Sequence, residues 1–313
     1  MLLANLLALL LGRLLAAAGA ALLALTLAWA AITYLTIRTH GVTASDPYAY
    51  VQMAVDIARH GTALHIFPLA PRVAAWGLPV WSVVPVGYTP PDPGTGVAAT
   101  VWPPGYSALL ALGYEIGGEA ALYALTPLLG LVALVALLWL CLEVLHTWEK
   151  GWRLLAAAVA IFVLATSYEQ VDRLSVPMAD VPAQLFTILT ITFALRATRG
   201  GTSEVSRTSA VFRPKIPNRP ILFAALTGVC LGAAFAMRYT QVLLGLSILF
   251  LWALFFCQGR TCSRRTIVLS VAAFAVAAWL IAFPVLWYHK LAFGGPFRVG
   301  GTAELALFGW EHI

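Results

Sequence analysis

The sequence predicts an all-α, polytopic integral membrane protein, because its composition, the length of its apolar runs and the pattern within them agree. Of the 313 residues, 61 % are hydrophobic and only 10 % are charged, with a mean hydropathy of +0.87. These values lie far outside the range of soluble domains. Apolar runs of roughly 18 to 25 residues recur along the chain and match the bilayer core in length. No run alternates as a barrel strand would, and helices pair all their backbone amides within the segment.

About seven segments qualify as transmembrane spans, each hydrophobic all round rather than along one stripe. They cover approximately residues 14–37, 120–145, 153–168, 181–197, 220–237, 239–257 and 266–288, and we treat 1–313 as one transmembrane module. The start of the chain has an alternative interpretation as a cleaved signal peptide, since Ala28-Trp29-Ala30 resembles a cleavage site. The uninterrupted apolar stretch to Ile37 favours a retained first span.

The charged residues between the spans are segregated, and this predicts the orientation of the chain. Basic residues fall on one side of the predicted topology: Lys150, Arg153, Arg196, Arg199, Arg207, Arg213, Lys215, Arg219, Arg260, Arg264 and Arg265. Acidic residues collect on the other side: Asp46, Asp56, Asp92, Glu115, Glu119, Glu169, Asp172, Asp180, Glu304 and Glu311. Because basic loops face the cytoplasm, we expect a multi-pass protein of the cell membrane with a cytoplasmic amino terminus and a non-cytoplasmic carboxyl terminus.

The net charge of +6 and the pI near 9.3 reflect this topology. The basic residues are scattered over several loops, so a nucleic-acid partner is not expected. The cysteines lie in or beside predicted spans or cytoplasmic loops without CxxC spacing: Cys141, Cys230, Cys257 and Cys262. Their pattern supports neither a disulfide framework nor a zinc site.

The first long connection, about residues 38–118, is predicted to face outward. Early in it, two sets of side chains define opposite faces of a helix: Tyr50, Met53, Ala54, Ile57 and Ala58 on one, Gln52, Asp56 and Arg59 on the other. This pattern predicts an amphipathic helix along the membrane surface. Further on, Trp102-Pro103-Pro104-Gly105-Tyr106 suits a helix start. Residence at headgroup depth accounts for most aromatic residues here: Trp76, Trp81, Tyr88, Trp102 and Tyr106.

The second long connection, about residues 198–219, is rich in glycine, serine and arginine and is predicted to be a solvated cytoplasmic linker. The chain has no GxxxxGK[ST], GxGxxG or GxSxG motif. Nucleotide-driven transport and serine-hydrolase chemistry therefore lack their usual motifs.

Ionisable groups stand at the predicted outer membrane boundary in three short segments, which contain Asp46, Asp180 and Arg238. Polar groups near hydrocarbon are costly and invite a functional hypothesis. Asp46 precedes a proline and Asp180 lies two residues before Pro182, so both also fit helix N-terminal capping. Arg238 fits either a snorkelling side chain or an anion ligand, and guanidinium geometry suits a phosphate.

Four motifs follow the first span in order: SDPYAYVQMAVDIARHG, WPPGYSALLAL, SVPMADVPAQLF and RYTQVLLGL. Together they resemble the dolichyl-phosphate-mannose protein mannosyltransferase-like family, which includes the bacterial lipid A aminoarabinose transferases and has the GT-C membrane glycosyltransferase fold. The resemblance implies transfer of a sugar, with inversion, from a polyprenyl-phosphate carrier to a lipid, glycan or protein acceptor on the non-cytoplasmic face. It implies no cofactor.

By the same resemblance, Asp46 matches the catalytic aspartate of the family's first outer loop, and Asp180 matches the acidic residue of its second. Arg238 lies where the family often has a basic residue that binds the lipid phosphate. Aromatic residues of the same motifs are expected to line the substrate site: Tyr50, Trp102 and Tyr106.

The chain departs from the family pattern in two motifs. Pro47 stands where many relatives have an acidic residue, and Trp102 stands where many have a basic one. Three other residues are alternative cations, namely Arg72, Arg173 and Lys290. Family members usually continue with further spans, so we expect a truncated or split homologue.

Three alternatives to this function stay open. A divalent metal site would draw on the first outer loop, through His40, His60, His65, Asp46, Asp56 and Asp92, but their spacing matches no ligand motif, so no metal is predicted. A lipid or solute transporter would favour charged or broken-helix sites near mid-membrane in two related halves, which the sequence lacks. A non-catalytic membrane scaffold would tolerate loss of the Asp46 carboxylate.

Overall fold

The computed structural model describes residues 2–42, 44–199, 219–257 and 263–298, and helices make up most of them. In chain order the helices are α1 (Leu2–Ile37), α2 (Ser45–His60), α3 (Ala70–Ala75), α4 (Pro104–Val144), α5 (Lys150–Thr166), α6 (Tyr168–Ser175), α7 (Asp180–Arg199), α8 (Arg219–Met237), α9 (Leu243–Cys257) and α10 (Arg264–Phe293). Short 3-10 helices span Val80–Val83 and Tyr239–Val242. Most of the predicted linker, and the predicted outward residues Glu304 and Glu311, lie outside the described residues.

Five helices of the described ranges are long and apolar enough to cross a membrane: Leu6–Ile37, Pro104–Val144, Asp180–Thr198, Arg219–Met237 and Arg264–Phe293. This agrees with an all-α membrane protein. The pair α5 and α6 makes a sixth candidate if the two helices, bent by 54°, count as one span. The remaining predicted span, 239–257, falls on α9, which has 15 residues and is short for a bilayer crossing. The number seven therefore stays a prediction.

The long helix α4 is interrupted by a reversal of the chain at Gly117 and Gly118. Gly118 has φ +62°, a left-handed conformation that glycine adopts without steric cost. The two arms fold back on each other, since the Tyr106 hydroxyl hydrogen-bonds to Thr126 Oγ1 across the turn. The second arm corresponds to the predicted span 120–145, and the first arm belongs to the predicted outer connection.

The outer connection contains a small antiparallel sheet that the all-α prediction lacks. Strand β1 (Leu64–Ile66) pairs with β2 (Val97–Ala99), with Leu64 opposite Ala99. Three-residue strands are too short to show the alternation that identifies a strand in a sequence.

Contacts between distant segments gather the predicted outer residues at one end of the helix bundle, here called the Asp180 end. Thr39 N–H donates to the Ser175 carbonyl at 2.7 Å, which joins the ends of α1 and α6. The Tyr288 hydroxyl donates to the Thr100 carbonyl at 3.0 Å, which joins α10 to the outer connection. The predicted outward connections therefore do meet at one end.

The opposite end of the bundle, the Lys150 end, collects the basic segments that the described ranges include. The ends of α7, α8 and α10 meet around a small cavity lined by Ala197, Pro220 and Thr266. Arg196 Nε lies 3.0 Å from Glu143 Oε2 there, and the Glu149 side chain caps α5 by accepting from the Gly151 and Trp152 amides. Both ends also carry charges of the other sign, such as Glu143 at this end and Arg238 at the Asp180 end, and the orientation of the bundle stays a prediction.

Close packing of α8 against α10 depends on two glycines. A Cβ at Gly228 would overlap the Phe274 carbonyl oxygen, and a Cβ at Gly232 would lie 2.7 Å from the Ala278 carbonyl oxygen. Glycines four residues apart let two membrane helices approach at backbone distance and gain dispersion energy. This contact positions the end of α8, where Arg238 follows.

We expect Gly228→Ala to destabilise the protein by about 1–3 kcal/mol, since the added methyl group must push α8 away from α10. The matched control is Gly113→Ala, because a Cβ at Gly113 would meet its nearest neighbour at an ordinary 3.7 Å. Unfolding in detergent, monitored by circular dichroism, measures both. Equal midpoints for the two variants would contradict the proposed close contact.

Candidate functional site

Arg238 and Asp180 form an ion pair at the Asp180 end of the bundle. Arg238 Nη1 lies 2.8 Å from Asp180 Oδ1, and the side chains are 44 % and 25 % exposed. The pair joins residues that the sequence places at the ends of two different predicted spans. Both groups are therefore partly accessible from water.

The local structure around Arg238 fixes where its side chain starts. Its backbone is extended, with φ −146° and ψ 123°, and so α8 ends at Met237. Its amide still donates to the Ala234 carbonyl at 2.9 Å, and its carbonyl accepts from the Gln241 amide at 3.1 Å. Arg238 is therefore held between two helical segments.

Asp46 lies in the first turn of α2 but does not cap it. The N-cap position is Ala44, which makes no side-chain cap, and Asp46 Oδ1 accepts a hydrogen bond from Ser45 Oγ at 3.2 Å. The capping alternative from the sequence is therefore wrong for Asp46.

The capping alternative is not observed for Asp180 either. Asp180 begins α7, yet its Oδ1 contacts Arg238. Its other oxygen, Oδ2, is buried without a hydrogen-bond partner among the described residues. The carboxylate thus keeps one free acceptor.

Tyr50 connects the three charged groups. It lies one helical turn after Asp46, is 3 % exposed, and packs in a cluster with Ala179 and Met237, the neighbours of Asp180 and Arg238. Burial raises the pKa of the Tyr50 phenol, Arg238 partly offsets this, and Asp180 and Asp46 raise it further. All three charges therefore act on one phenol, which stays protonated at neutral pH.

The predicted aromatic site residues surround Tyr50. Its ring centroid lies 5.3 Å from that of Tyr106 and 6.0 Å from that of Trp102. Tyr106 is fully buried, so it supports Tyr50 rather than facing a ligand. Trp102 Nε1 is buried without a hydrogen-bond partner in the described part of the chain.

The aromatic residues of the outer connection differ in exposure. Trp76 and Trp81 are 73 % and 54 % exposed, whereas Tyr88 and Tyr106 are 3 % and 0 % exposed. Burial of the last two follows from their packing against other aromatic rings. Their residence at headgroup depth stays a prediction.

Gly105 brings the start of α4 against the end of α8. A Cβ at this position would overlap the Ala236 carbonyl oxygen, two residues before Arg238. The backbone approach places Tyr106 beside the ion pair. The motif with paired prolines thus forms one wall of the site.

A buried histidine beside the ion pair was missed from the sequence. His289 is 2 % exposed, and its ring nitrogens contact the Pro296 carbonyl at 3.2 Å and the Tyr239 hydroxyl at 2.7 Å. A carbonyl only accepts, so Nδ1–H donates to it and Nε2 accepts from Tyr239. Tyr239 follows Arg238 directly. A histidine inside an apolar span is a signal that could have identified it.

Polar side chains of α7 continue the site toward the other end of the helix. Thr187 Oγ1 donates to Gln241 Oε1 at 2.9 Å. Gln184 lies between Asp180 and Thr187 on the same face, and its Oε1 is buried without a partner in the described ranges. An unsatisfied buried acceptor costs about 1–3 kcal/mol. The sequence analysis did not single out these residues.

The alternative cations have other surroundings. Arg173 lies 3.9 Å from Glu169, Lys290 lies over the Trp287 ring at 5.3 Å, and Arg72 is in the last turn of α3. Among the described residues, the cation in contact with Asp180 is Arg238. This geometry favours Arg238 over the other three.

The polar face predicted for α2 is partly wrong. Asp56 is 5 % exposed, and its Oδ2 lies 2.8 Å from His65 Nδ1 in β1. This hydrogen bond turns Asp56 inward and joins α2 to the sheet. Within the described ranges, no group of three or more His, Cys, Asp or Glu residues could hold a metal ion.

We expect Tyr239→Phe to lower the stability of the protein by about 1–3 kcal/mol, because it leaves His289 Nε2 buried without its donor. Tyr168→Phe is the matched control, since Tyr168 is 77 % exposed. Thermal unfolding of the purified protein in detergent compares the two. A Tyr239→Phe midpoint equal to that of the control would show that the hydrogen bond is not formed.

Comparison of the chain with protein-family models, curated proteins and solved structures finds no match in any of the three. The motif resemblance described above therefore stays a prediction, and the site must be interpreted from its own geometry.

Proposed function

We propose that this protein is a membrane glycosyltransferase that moves a sugar from a polyprenyl-phosphate carrier to a lipid, glycan or protein acceptor on the non-cytoplasmic face, with inversion. The observation that carries this proposal is the partly exposed Arg238–Asp180 ion pair beside Tyr50. Tyr50 itself lies one helical turn after Asp46 in α2. These groups supply an acid–base residue and a phosphate ligand within one site. The motif resemblance points to the same chemistry.

The proposed reaction is a single displacement. The oxygen of the acceptor hydroxyl attacks the anomeric carbon, and the Asp46 carboxylate takes the proton of this hydroxyl. The bond from that carbon to the phosphate oxygen breaks, and the electron pair leaves with the polyprenyl phosphate. Attack opposite the leaving group inverts the anomeric centre.

Arg238 is proposed to stabilise the leaving phosphate. A guanidinium pairs with phosphate through two parallel hydrogen bonds, and the charge that develops on the phosphate strengthens them in the transition state. Asp180 orients this guanidinium through the 2.8 Å contact. The two catalytic carboxylates thus have different tasks, since Asp46 accepts a proton and Asp180 positions the cation.

A lipid-linked donor accounts for the position of the site at a bundle end. Arg238 follows a helix that is long and apolar enough to cross a bilayer. A polyprenyl tail would remain in hydrocarbon while its phosphate reaches the guanidinium at the boundary. The scheme uses membrane lipids as partners and requires neither a nucleotide nor a metal.

The decisive variant is Asp46→Asn, which we expect to reduce sugar transfer by about 100-fold or more because it removes the proton acceptor. The control is Asp92→Asn in the same outer connection. Asp92 is exposed and accepts hydrogen bonds from Gly94 and Thr95, which an asparagine oxygen also accepts. Mass spectrometry of lipid-linked sugars and glycosylated products, in cells with and without the gene, identifies donor and acceptor first.

Full transfer by folded Asp46→Asn would falsify the proposed role of Asp46. Identical lipid-linked sugars and products in the presence and absence of the gene would instead favour the scaffold alternative. Accumulation of an unmodified lipid-linked sugar on one leaflet, with normal glycosylation by membrane extracts, would favour a transporter.

A further inference from the structure

One face of α7 carries polar side chains over successive turns, although this helix is apolar enough to cross a bilayer. Asp180, Gln184 and Thr187 are four and three residues apart, so they share a face. That face is turned toward the segment after α8, since Asp180 contacts Arg238 and Thr187 donates to Gln241. Gln184 lies between these two contacts.

The hydrogen-bonding capacity of this face is unused at two neighbouring positions. Asp180 Oδ2 and Gln184 Oε1 are both enclosed and have no partner among the described residues. Thr187, one turn further, already donates to Gln241. Two acceptors next to Arg238 are therefore available to a ligand that brings O–H or N–H donors.

Arg238 has hydrogen-bond donors that its contact with Asp180 does not use. Its guanidinium has five N–H donors, is 44 % exposed, and reaches Asp180 Oδ1 through Nη1. The site thus offers donors for an anion and, immediately beside them, acceptors for hydroxyl groups. A phosphate-linked sugar satisfies both, whereas a bare lipid phosphate satisfies only the first.

Resting on the proposed function, we propose that Asp180 Oδ2 and Gln184 Oε1 form a subsite for the sugar hydroxyls of the donor, beside the Arg238 guanidinium that binds its phosphate. Asp180 serves both groups, because its Oδ1 contacts Arg238 while its Oδ2 has no partner among the described residues. Gln184 then selects the donor by its sugar, not by its lipid.

The test measures binding by the purified full chain in lipid nanodiscs. The probes are farnesyl phosphate and farnesyl phosphate linked to glucose, mannose, galactose or 4-amino-4-deoxyarabinose. We expect the wild type to bind one sugar-bearing probe about tenfold more tightly than farnesyl phosphate, the effect of a buried hydrogen bond of about 1.4 kcal/mol. Gln184→Leu should lower the ratio of these two affinities to about one without changing the affinity for farnesyl phosphate.

Two further variants make the result specific. Gln184→Glu keeps an acceptor at this position but adds a negative charge near Asp180 and the donor phosphate, so it should weaken binding of both probes while retaining the preference for the sugar-bearing one. Thr187→Val changes the same face one turn away, where the hydroxyl is paired within the protein, and should also keep the ratio. If Gln184→Leu does not fold, deoxygenated versions of the preferred probe test the wild type directly, and at least one should lose about tenfold in affinity.

The outcomes separate this inference from the proposed function. Absence of binding of any phosphate probe to the wild type would overturn both. Equal wild-type affinity for bare and sugar-bearing probes, or an unchanged ratio in Gln184→Leu, would overturn the hydroxyl subsite and leave the phosphate site standing. Loss of the ratio in Gln184→Leu alone, with Thr187→Val unaffected, supports the subsite.

Discussion

The guanidinium of Arg238 and the carboxylate of Asp180 meet 2.8 Å apart where the end of α8 faces the start of α7. An arginine at this depth must reach either water or an anion, since an unpaired charge in hydrocarbon is costly. The pair meets this constraint without burying either group, because each keeps some exposure to water. The rest of the site is arranged around it: Tyr50 packs against the residues that precede both charges.

The packing that supports this pair consists of close backbone contacts rather than large side chains. Gly228 and Gly232 bring α8 against α10, and Gly105 brings α4 against the end of α8. Each of these backbone contacts restricts the movement of the segment that carries Arg238. A group that must stabilise charge in a transition state benefits from such preorganisation, because no reorganisation is then needed during the reaction. The rigidity of the helix bundle and the proposed chemistry are thus connected.

The features predicted correctly from the sequence depend on composition and on order along the chain. Apolar runs identify most of the spans without knowledge of any contact, and alternation between the two sides predicts that Asp180 and Arg238 share an end. The remaining features depend on contacts between distant residues. His65 turns Asp56 inward, and His289 reaches Tyr239 across 50 residues. The chain reversal at Gly117 and Gly118 has a local signal, since a Gly-Gly pair marks turns, but the packing of the two arms depends on contacts such as that of Tyr106 with Thr126.

The last described helix, α10, links the first outer connection to the segment that follows Arg238 through two hydrogen bonds. Tyr288 donates to the Thr100 carbonyl across 188 residues, and its neighbour His289 accepts from Tyr239. Chain segments that are synthesised early must therefore wait, within the membrane, for the end of α10 to arrive before these links can form. Long-range closure of this kind slows folding. During synthesis the links made by Tyr288 and His289 therefore form late, after the segments that carry Asp46, Asp180 and Arg238 have been made.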